Sequence, residues 1–214
     1  MMPSISGLRK EYSSESLSES DVEPHPVDQF SKWWQQAIKS DIIEPNAMTL
    51  ATASTDGLPS ARIVLLKGFD KDGFVFYTNY TSYKGMQLEE NPKACLVFFW
   101  KELERQVRIV GLVSRANEKM SDEYFLSRPH GSQIGAWASP QSKIIENRDW
   151  LDGQYLKLEE EFKHKQLLRP SFWGGYVVKP IIMEFWQGRP SRLHDRIQYT
   201  LSEDGSWKIE RLAP

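Results

Sequence analysis

Residues 60–79, SARIVLLKGFDKDGFVFYTN, predict two β-strands joined by a tight turn. Ser60–Gly68 and Phe74–Asn79 are rich in aliphatic, β-branched and aromatic residues, which favour strands. Asp70-Lys-Asp-Gly73 lies between them and is typical of a tight turn. Strands joined by so short a connection pair antiparallel, because a parallel pair needs a long crossover. This segment therefore predicts an antiparallel sheet.

The same alternation of short strands and turns continues on both sides of this segment. Further strands are predicted at Ala47–Ala53, Lys93–Trp100 and Arg105–Arg115, and near residues 174–179, 181–187, 194–200 and 206–211. Helices are predicted over residues 26–40, Tyr83–Glu90, Lys119–Ser127 and Asp149–Lys163. The chain is therefore expected to be mainly β with inserted helices (α+β), an antiparallel barrel rather than a βαβ sheet.

The composition excludes several classes of protein. The chain has 214 residues, 40% of them hydrophobic, and a net charge of −2. A nucleic-acid binder that ignores sequence would carry a strong basic excess, which is missing here. The single cysteine, Cys95, rules out an internal disulfide. Because there is neither a long apolar stretch nor a signal-peptide pattern, we expect a cytoplasmic protein that binds no membrane.

The N-terminal region has the composition of a flexible arm. Residues 13–24, SSESLSESDVEP, contain five serines and four acidic residues and have too few apolar residues to form a core. The basic and aromatic segment Leu8–Tyr12 precedes them and is either a frayed terminus or a mobile cover for a site. We therefore divide the chain into an arm, residues 1–25, and a folded domain, residues 26–214.

Two clusters of cations and hydroxyls could bind phosphate. Arg62 and Lys67 lie at the two ends of a strand and have opposite parity, so without a bulge they face opposite ways. They are either two anion-binding groups or solvated strand ends. Ser82 and Lys84 open a helix, where backbone N–H groups attract anions, although serine is also a common helix cap.

A third candidate lies around the end of the next predicted helix. Tyr124 and Arg128 are four residues apart and share one helix face, and Ser132 follows the helix-ending Pro129. A guanidinium between two hydroxyls can hold a phosphate. An exposed helix end is the alternative interpretation.

The C-terminal region adds an aromatic and cationic surface. Arg192, His194 and Arg196 alternate, so in a strand they would project from one face while Leu193 and Asp195 face the other. Tryptophans lie just upstream, and such a surface suits a planar, phosphorylated ligand. The sequence has no Gly-x-Gly-x-x-Gly motif, P-loop, metal-ligand spacing or catalytic triad, which favours a protein whose cofactor performs the chemistry.

The chain resembles the pyridoxamine 5′-phosphate oxidase family of FMN enzymes. The resemblance runs in order along almost the whole chain and rests on Leu8–Tyr12, Arg62–Lys67, Phe76–Asn79, Glu104–Val107, Tyr124–Ala136, Gln141-Ser142, Ser171–Tyr176, Glu184–Gly188, Arg192–Arg196 and Glu210–Pro214. It implies a split β-barrel homodimer with two FMN molecules at the subunit interface.

The resemblance also assigns roles to individual residues. FMN would be bound by Arg62, Ile63, Val64, Leu65, Leu66, Lys67, Tyr77, Thr78, Lys84, Gln106, Gln141, Ser142, Trp186 and Arg196. The substrate phosphate would lie on Lys67, Tyr124, Arg128 and Ser132, the pyridine ring against Arg192, Leu193 and His194, and the lid would contain Arg9 and Tyr12. Arg192 and His194 are the catalytic candidates.

The implied reaction oxidises pyridoxine 5′-phosphate and pyridoxamine 5′-phosphate with O2 to pyridoxal 5′-phosphate, releasing H2O2 and, from the amine, NH3. One departure from the family pattern is Tyr83, where the family usually has arginine, so one phosphate partner is lost. The alternatives are a split-barrel FMN reductase and a non-catalytic carrier of flavin or pyridoxal phosphate.

Overall fold

The computed structural model describes residues 11–12, 15–163 and 165–214. The chain divides into two compact units. Of the described residues, those within 11–48, 96–110 and 180–214 form unit 1, and those within 49–95 and 111–179 form unit 2.

The described residues form nine strands, five α-helices and two short 3-10 helices. The strands are β1 Ala47–Ala53, β2 Pro59–Leu65, β3 Gly68–Asp70, β4 Gly73–Asn79, β5 Lys93–Trp100, β6 Arg105–Arg115, β7 Trp173–Gln187, β8 Asp195–Leu201 and β9 Trp207–Arg211. The helices are α1 Pro26–Lys39, α2 Tyr83–Glu90, α3 Glu118–Ser127, α4 His130–Ala138 and α5 Arg148–Phe162, and the 3-10 helices are Lys101–Leu103 and Pro190–Arg192.

The strands are hydrogen-bonded in the order β2-β1-β5-β6-β7-β4-β3, with β8 paired to β7 and β9 paired to β8. Antiparallel registers join β3 to β4, β4 to β7, β7 to β8 and β8 to β9. The expectation of a mainly β fold with inserted helices is therefore confirmed. None of the helices in the described part of the chain has the length and apolar character needed to cross a membrane.

Aromatic side chains form much of the core of unit 1. Phe30 and Trp33 of α1 are 0% and 2% exposed. Phe30 packs on Phe98 of β5 and Trp33 packs edge-on against Phe185 of β7, each with ring centroids 5.2 Å apart. Burying such a ring contributes about 1.5–3 kcal/mol, so these contacts hold the apolar face of α1 in place.

A hydrophobic cluster organises the helical part of unit 2. Phe125 of α3, Ile134 of α4 and Trp173 of β7 are buried together with Leu167. The Nε2 group of Gln133 donates to the carbonyl oxygens of Leu126 and Arg128, at 3.2 and 2.8 Å. Packing and hydrogen bonds thus fix the junction between α3 and α4.

Most element boundaries follow the sequence prediction, with three exceptions. Residues 83–90, 93–100 and 105–115 have the predicted structure at both ends. The strand predicted over Ser60–Gly68 is divided into β2, which ends at Leu65, and β3, which begins at Gly68 and pairs with β4. The two strands predicted near residues 174–179 and 181–187 are one strand, β7, whose two halves pair with β4 and β8.

The third exception is α4. Pro129 was expected to end a helix and leave Ser132 beyond it, but Pro129 is instead the N-cap residue of α4. Proline is tolerated at a helix start, where its missing N–H is not needed. Ser132 therefore lies in the first turn of a helix.

The described part of the N-terminal segment contacts β6, β8 and β9 within unit 1. Leu17 is 5% exposed and its N–H donates to Asp195 Oδ2 at 3.1 Å. Glu15 pairs with the buried Arg105 at 2.6 Å, and Glu19 pairs with Arg211 at 2.9 Å. These contacts attach residues 15–19 to the sheet; the mobility of the arm stays a prediction.

Candidate active site

Unit 2 contains a cavity of about 460 Å³ that collects most of the residues predicted to bind phosphate. Its walls come from β2, β4, β7, α3, α4 and the segments that follow β2, α3 and α4. The lining residues are Ile63, Val64, Leu65, Lys67, Tyr77, Thr78, Asn79, Tyr124, Arg128, Ser132, Gly135, Ala136, Ser139, Gln141 and Trp173. Lys67, Tyr124, Arg128 and Ser132, which are separated in sequence, thus share one cavity.

Stacked aromatic rings form one wall of this cavity. Tyr77 of β4 stacks on Tyr124 of α3 with ring centroids 3.9 Å apart, and it stacks on Trp173 of β7 at 5.7 Å. Lys67 Nζ lies 5.9 Å from the centre of the Tyr124 ring. Burial raises the pKa of Tyr77, whose hydroxyl donates to the carbonyl oxygen of Met120 at 3.4 Å. Tyr77 therefore stays protonated at physiological pH, and its hydrogen bond helps to fix the position of its ring.

Arg128 contributes a buried donor to the cavity. Its guanidinium lies over Trp173, 4.7 Å from the ring centre. Its Nη1 atom is buried and has no hydrogen-bond partner among the described residues. Burial lowers the pKa of Arg128, although an arginine stays charged at neutral pH. A buried unpaired donor is costly, so this group is suited to an anionic ligand.

Arg62 and Lys84 form a second cationic group in unit 2. Lys84 Nζ contacts Thr78 Oγ1, Ser82 Oγ and Gln141 Oε1 at 3.2–3.5 Å, all of them neutral oxygens. Burial first, and the nearby charge of Arg62 second, lower the pKa of Lys84. Two neighbouring cations with neutral partners repel each other, and a phosphate would relieve that repulsion.

The segment after α4 brings Gln141 to this group. Gln141 Oε1 lies 3.1 Å from Thr78 Oγ1, which donates to it. Ser142 has a φ of +69°, in the left-handed region. Thr78 and Gln141 line the 460 Å³ cavity and also contact Lys84. Tyr83 is 44% exposed at the start of α2.

In unit 1 an aromatic cluster surrounds His194. Its ring lies 4.6 Å from that of Trp186 and 5.9 Å from that of Tyr12, and Tyr12 meets Trp186 edge-on at 5.8 Å. A Cβ atom at Gly188 would lie 2.7 Å from Tyr12 Cγ. Glycine is thus needed at position 188 for Tyr12 to lie where it does. Arg9, the other predicted lid residue, lies outside the described residues.

The prediction that Arg192, His194 and Arg196 share one face of a strand is wrong. Arg192 ends the 3-10 helix Pro190–Arg192, and β8 begins only at Asp195. Ser191 and Arg192 have φ values of +56° and +63°. This left-handed turn, which follows Pro190, interrupts the alternation on which the prediction relied. Leu193 lies in the same turn and is 70% exposed.

The turn also orients His194. Its Nδ1 atom accepts the backbone N–H of Arg189 at 3.1 Å. Burial first, and the charge of Arg192 second, lower the pKa of His194 below its usual value of 6.5. At neutral pH the imidazole is therefore uncharged and carries its proton on Nε2, which makes Nε2 a hydrogen-bond donor.

Glu184 of β7 is a residue of unit 1 that we did not predict as part of the site. Its side chain is 3% exposed and pairs with Arg196 Nε at 2.7 Å. Its other oxygen pairs with Arg108 Nη2. Arg196 Nη1 also donates to the carbonyl oxygen of Ala213 at 2.7 Å. One buried carboxylate thus holds two arginines, and its contact with Arg196 raises the pKa of Arg196.

The structure separates the predicted site residues into two groups. Lys67, Tyr124, Arg128, Ser132, Ile63, Val64, Leu65, Tyr77, Thr78 and Gln141 line the cavity of unit 2, and Arg62, Leu66, Lys84 and Ser142 belong to the same unit. Tyr12, Gln106, Trp186, Arg192, Leu193, His194 and Arg196 belong to unit 1, where Gln106 is half-buried in β6. The sequence analysis missed Glu184 and Trp173, although both lie in motifs that carry the resemblance.

Two family models match this chain. Residues 34–160 match the family described as pyridoxamine 5′-phosphate oxidase, and residues 173–214 match its C-terminal dimerisation region. The chain belongs to the pyridoxamine 5′-phosphate oxidase family. The FMN-binding split barrel predicted from the sequence is therefore confirmed as the fold class, and the protein is an oxidoreductase related to vitamin B6 enzymes.

Individual relatives support this membership. A pyridoxine/pyridoxamine 5′-phosphate oxidase of Polynucleobacter asymbioticus is 58% identical, and one of Cyanothece sp. is 56% identical, each over 214 residues and the whole of both chains. Among solved structures, PhzG from Burkholderia lata, in complex with tetrahydrophenazine-1-carboxylic acid, has a TM-score of 0.88 and 30% identity, covering 94% of this chain and 98% of that one. An FMN-binding protein from Nostoc punctiforme, at 14% identity and a TM-score of 0.72, shares the fold.

Proposed function

We propose that the protein oxidises pyridoxine 5′-phosphate and pyridoxamine 5′-phosphate to pyridoxal 5′-phosphate, with FMN as cofactor and O2 as electron acceptor. H2O2 is the second product, and with the amine substrate one molecule of water is also consumed and NH3 is released. The observation that carries the proposal is the buried Nη1 of Arg128, which has no partner among the described residues and lies in a cavity shared with Lys67, Tyr124 and Ser132. The named relatives, which match the chain over its whole length, support it.

The residues present fit the chemistry of FMN. Arg62 and Lys84 supply two cations whose side-chain contacts are with neutral oxygens, a donor set suited to the phosphate of FMN. In the proposal Tyr77, Thr78, Gln141 and Ser142, the backbone of residues 63–67, and Gln106, Trp186 and Arg196 complete the FMN contacts. The chemistry that bound FMN would supply is to accept a hydride equivalent from the substrate and to pass its two electrons to dioxygen.

The substrate phosphate has a separate set of ligands in the proposal. Lys67 and Arg128 supply the charge, and Tyr124 and Ser132 supply hydroxyl groups. Arg128 stacks on Trp173, which limits its freedom before the ligand arrives. Such preorganisation reduces the entropy lost on binding. Phosphate is held at one end of the substrate so that its reacting carbon is positioned.

The pyridine ring of the substrate has its own candidate ligands, which come from the turn of unit 1 that contains Arg192 and His194. We assign Arg192, Leu193 and His194 to the pyridine ring, with Arg192 compensating charge that develops during the reaction. In its neutral form His194 has one hydrogen-bond donor, Nε2–H, to offer to the substrate. Arg9 and Tyr12 act as a lid, supported by the contact of Tyr12 with His194 and Trp186.

We further propose that the protein acts in the cytoplasm as a homodimer with FMN at the subunit interface. The match of residues 173–214 to a dimerisation region supports the dimer. The bound ligand named for PhzG, tetrahydrophenazine-1-carboxylic acid, carries no phosphate. Lys67 and Arg128, whose Nη1 has no partner among the described residues, match the higher charge of a phosphate better than the single charge of that carboxylate.

The experiment that tests the function is anaerobic reduction of the FMN-loaded protein. Pyridoxine 5′-phosphate is added to the FMN-loaded protein in the absence of oxygen, and the absorption of blue light by the oxidised flavin is followed. Pyridoxamine 5′-phosphate is tested as the second substrate. We expect bleaching, with recovery and H2O2 formation when air is admitted. Bleaching by a nicotinamide donor, but by neither phosphorylated substrate, would support the FMN reductase. Tight binding of pyridoxal phosphate without bleaching would support the non-catalytic carrier.

The pH dependence of turnover tests the neutral state of His194. Because its pKa is lowered from 6.5, we expect kcat/KM to stay high at neutral pH and to fall only when the pH drops below about 6.5. The substrate phosphate also titrates near this pH, with a second pKa of about 6. In a His194→Gln variant, the part of the decrease of kcat/KM at low pH that comes from the phosphate should therefore remain. The part that comes from the histidine should be lost. An identical acid limb in both proteins would contradict the assignment.

A further inference from the structure

Gln87 of α2 lies at the centre of a buried network that ends on Arg62. Its side chain is 3% exposed. Its Oε1 atom accepts the hydroxyl protons of Thr52 at 2.6 Å and Ser60 at 2.7 Å. Thr52 and Ser60 lie on β1 and β2, so this single amide oxygen joins two strands to a helix.

The two hydroxyls then hold the guanidinium of Arg62. Its Nη1 donates to Thr52 Oγ1 at 2.6 Å and to the carbonyl oxygen of Leu50 at 3.3 Å, and its Nη2 donates to Ser60 Oγ. A hydroxyl has one proton and two lone pairs. Because both protons go to Gln87, the lone pairs of Thr52 and Ser60 are left for Arg62.

All the partners in this network are uncharged. A carboxylate in the position of Gln87 could hold the same hydroxyls but would reduce the attraction of Arg62 for an anion. The guanidinium also has more N–H donors than these three acceptors use. The network therefore fixes Arg62 on one side and leaves its full charge and its remaining donors for a ligand.

We propose that Gln87, acting through Thr52 and Ser60, is a positioning residue for Arg62 and thereby gives the protein its preference for the phosphorylated flavin. The inference rests on the proposed function, because it takes the phosphate of FMN as the ligand of Arg62. No contact between Gln87 and the flavin is required.

The test compares FMN with riboflavin, which lacks the phosphate. Apoprotein is titrated with each flavin and the quenching of flavin fluorescence gives the two dissociation constants. A Gln87→Met variant keeps the length of the side chain and removes the amide oxygen. We expect its FMN affinity to fall about tenfold, which corresponds to the loss of one charge-assisted contact between Arg62 and the phosphate. The affinity for riboflavin should change much less.

A double variant separates positioning from general damage. In an Arg62→Ala background, Gln87→Met should cause little further loss of FMN affinity, because the residue it positions is gone. Gln29→Met is a matched control in unit 1. Gln29 is 1% exposed and its Nε2, like that of Gln87, has no partner among the described residues, but its Oε1 accepts a backbone N–H from Glu23. It should leave the ratio of the two affinities intact.

Ser60→Ala provides a second route if Gln87→Met does not fold. Ser60 is only half-buried, and its removal should lower the preference for FMN in the same direction, whereas Ser60→Thr should restore it. If both Gln87→Met and Ser60→Ala retain the preference for FMN, the inference about Gln87 is overturned, but the proposed function is not. A wild-type protein that binds FMN no better than riboflavin overturns the proposed phosphate site itself.

Discussion

Replacing Arg128 with alanine is expected to raise the KM for pyridoxine 5′-phosphate and to lower kcat/KM about 100-fold, with a smaller change in kcat. The buried Nη1 of Arg128 has no partner among the described residues, and its guanidinium is held on Trp173. A hydrogen bond to a charged group contributes about 1.5–3 kcal/mol, and each 1.4 kcal/mol is a factor of about ten. Steady-state kinetics with varied substrate measures the change.

The matched control is Arg148→Ala, also in unit 2. Arg148 pairs with Asp152 on the surface of α5, and its side chain is 79% exposed, so its removal should leave KM unchanged. Arg128→Lys should be intermediate, because lysine keeps the charge and loses the planar fork. A loss of FMN affinity in Arg128→Ala, with KM for substrate unaltered, would move Arg128 from the substrate phosphate to the cofactor.

Replacing Glu184 with alanine is expected to lower the free energy of unfolding by about 3 kcal/mol and to weaken FMN binding. Removal of one partner of a buried ion pair leaves the remaining charge uncompensated, which costs about 3–5 kcal/mol. The lower end applies because the side chains of Arg108 and Arg196 are 42% and 26% exposed, so solvent screens part of their charge. Urea denaturation of the apoprotein measures the stability, and flavin titration measures the binding.

Glu210→Ala is the control for a surface ion pair in the same unit. Glu210 pairs with Lys208 at 2.6 Å, but the two side chains are 43% and 65% exposed. Its removal should change the stability by less than about 1 kcal/mol. Glu184→Gln should retain more stability than Glu184→Ala, since an amide oxygen can still accept from one arginine. If Glu184→Ala unfolds at the wild-type urea concentration, the buried carboxylate is not what holds Arg196.

Both predictions concern how the protein keeps cations available for anions. Arg62 and Lys84 are held by neutral oxygens, and Arg128 is held by an aromatic face, so their charge is not cancelled. Arg196 instead shares one carboxylate with Arg108, which leaves the group of three with a net positive charge. Neutral partners and shared carboxylates are two ways to orient an arginine without losing its attraction for phosphate.

The sequence by itself determined the secondary structure of much of the chain. The tight turn at residues 70–73 and β4 follow from local composition, and so do α2, β5 and β6, because turn residues and side-chain periodicity act over a few residues. The division of the preceding segment into β2 and β3 does not, because β3 is defined by its pairing with β4. The ordered series of motifs was enough to indicate the family. It was also enough to select Lys67, Tyr124, Arg128 and Ser132, which share one cavity in the structure.

Only the tertiary structure decided how the side chains around these cations are arranged. The turn at Pro190–Arg192 depends on the left-handed backbone conformation of Ser191 and Arg192. Serine and arginine do not predict that conformation. Gln87 meets Thr52 and Ser60, and Glu184 meets Arg108, across separations of 27 to 76 residues. Such contacts depend on the pairing of strands and the packing of helices, whereas a local pattern records only the neighbours of each residue along the chain.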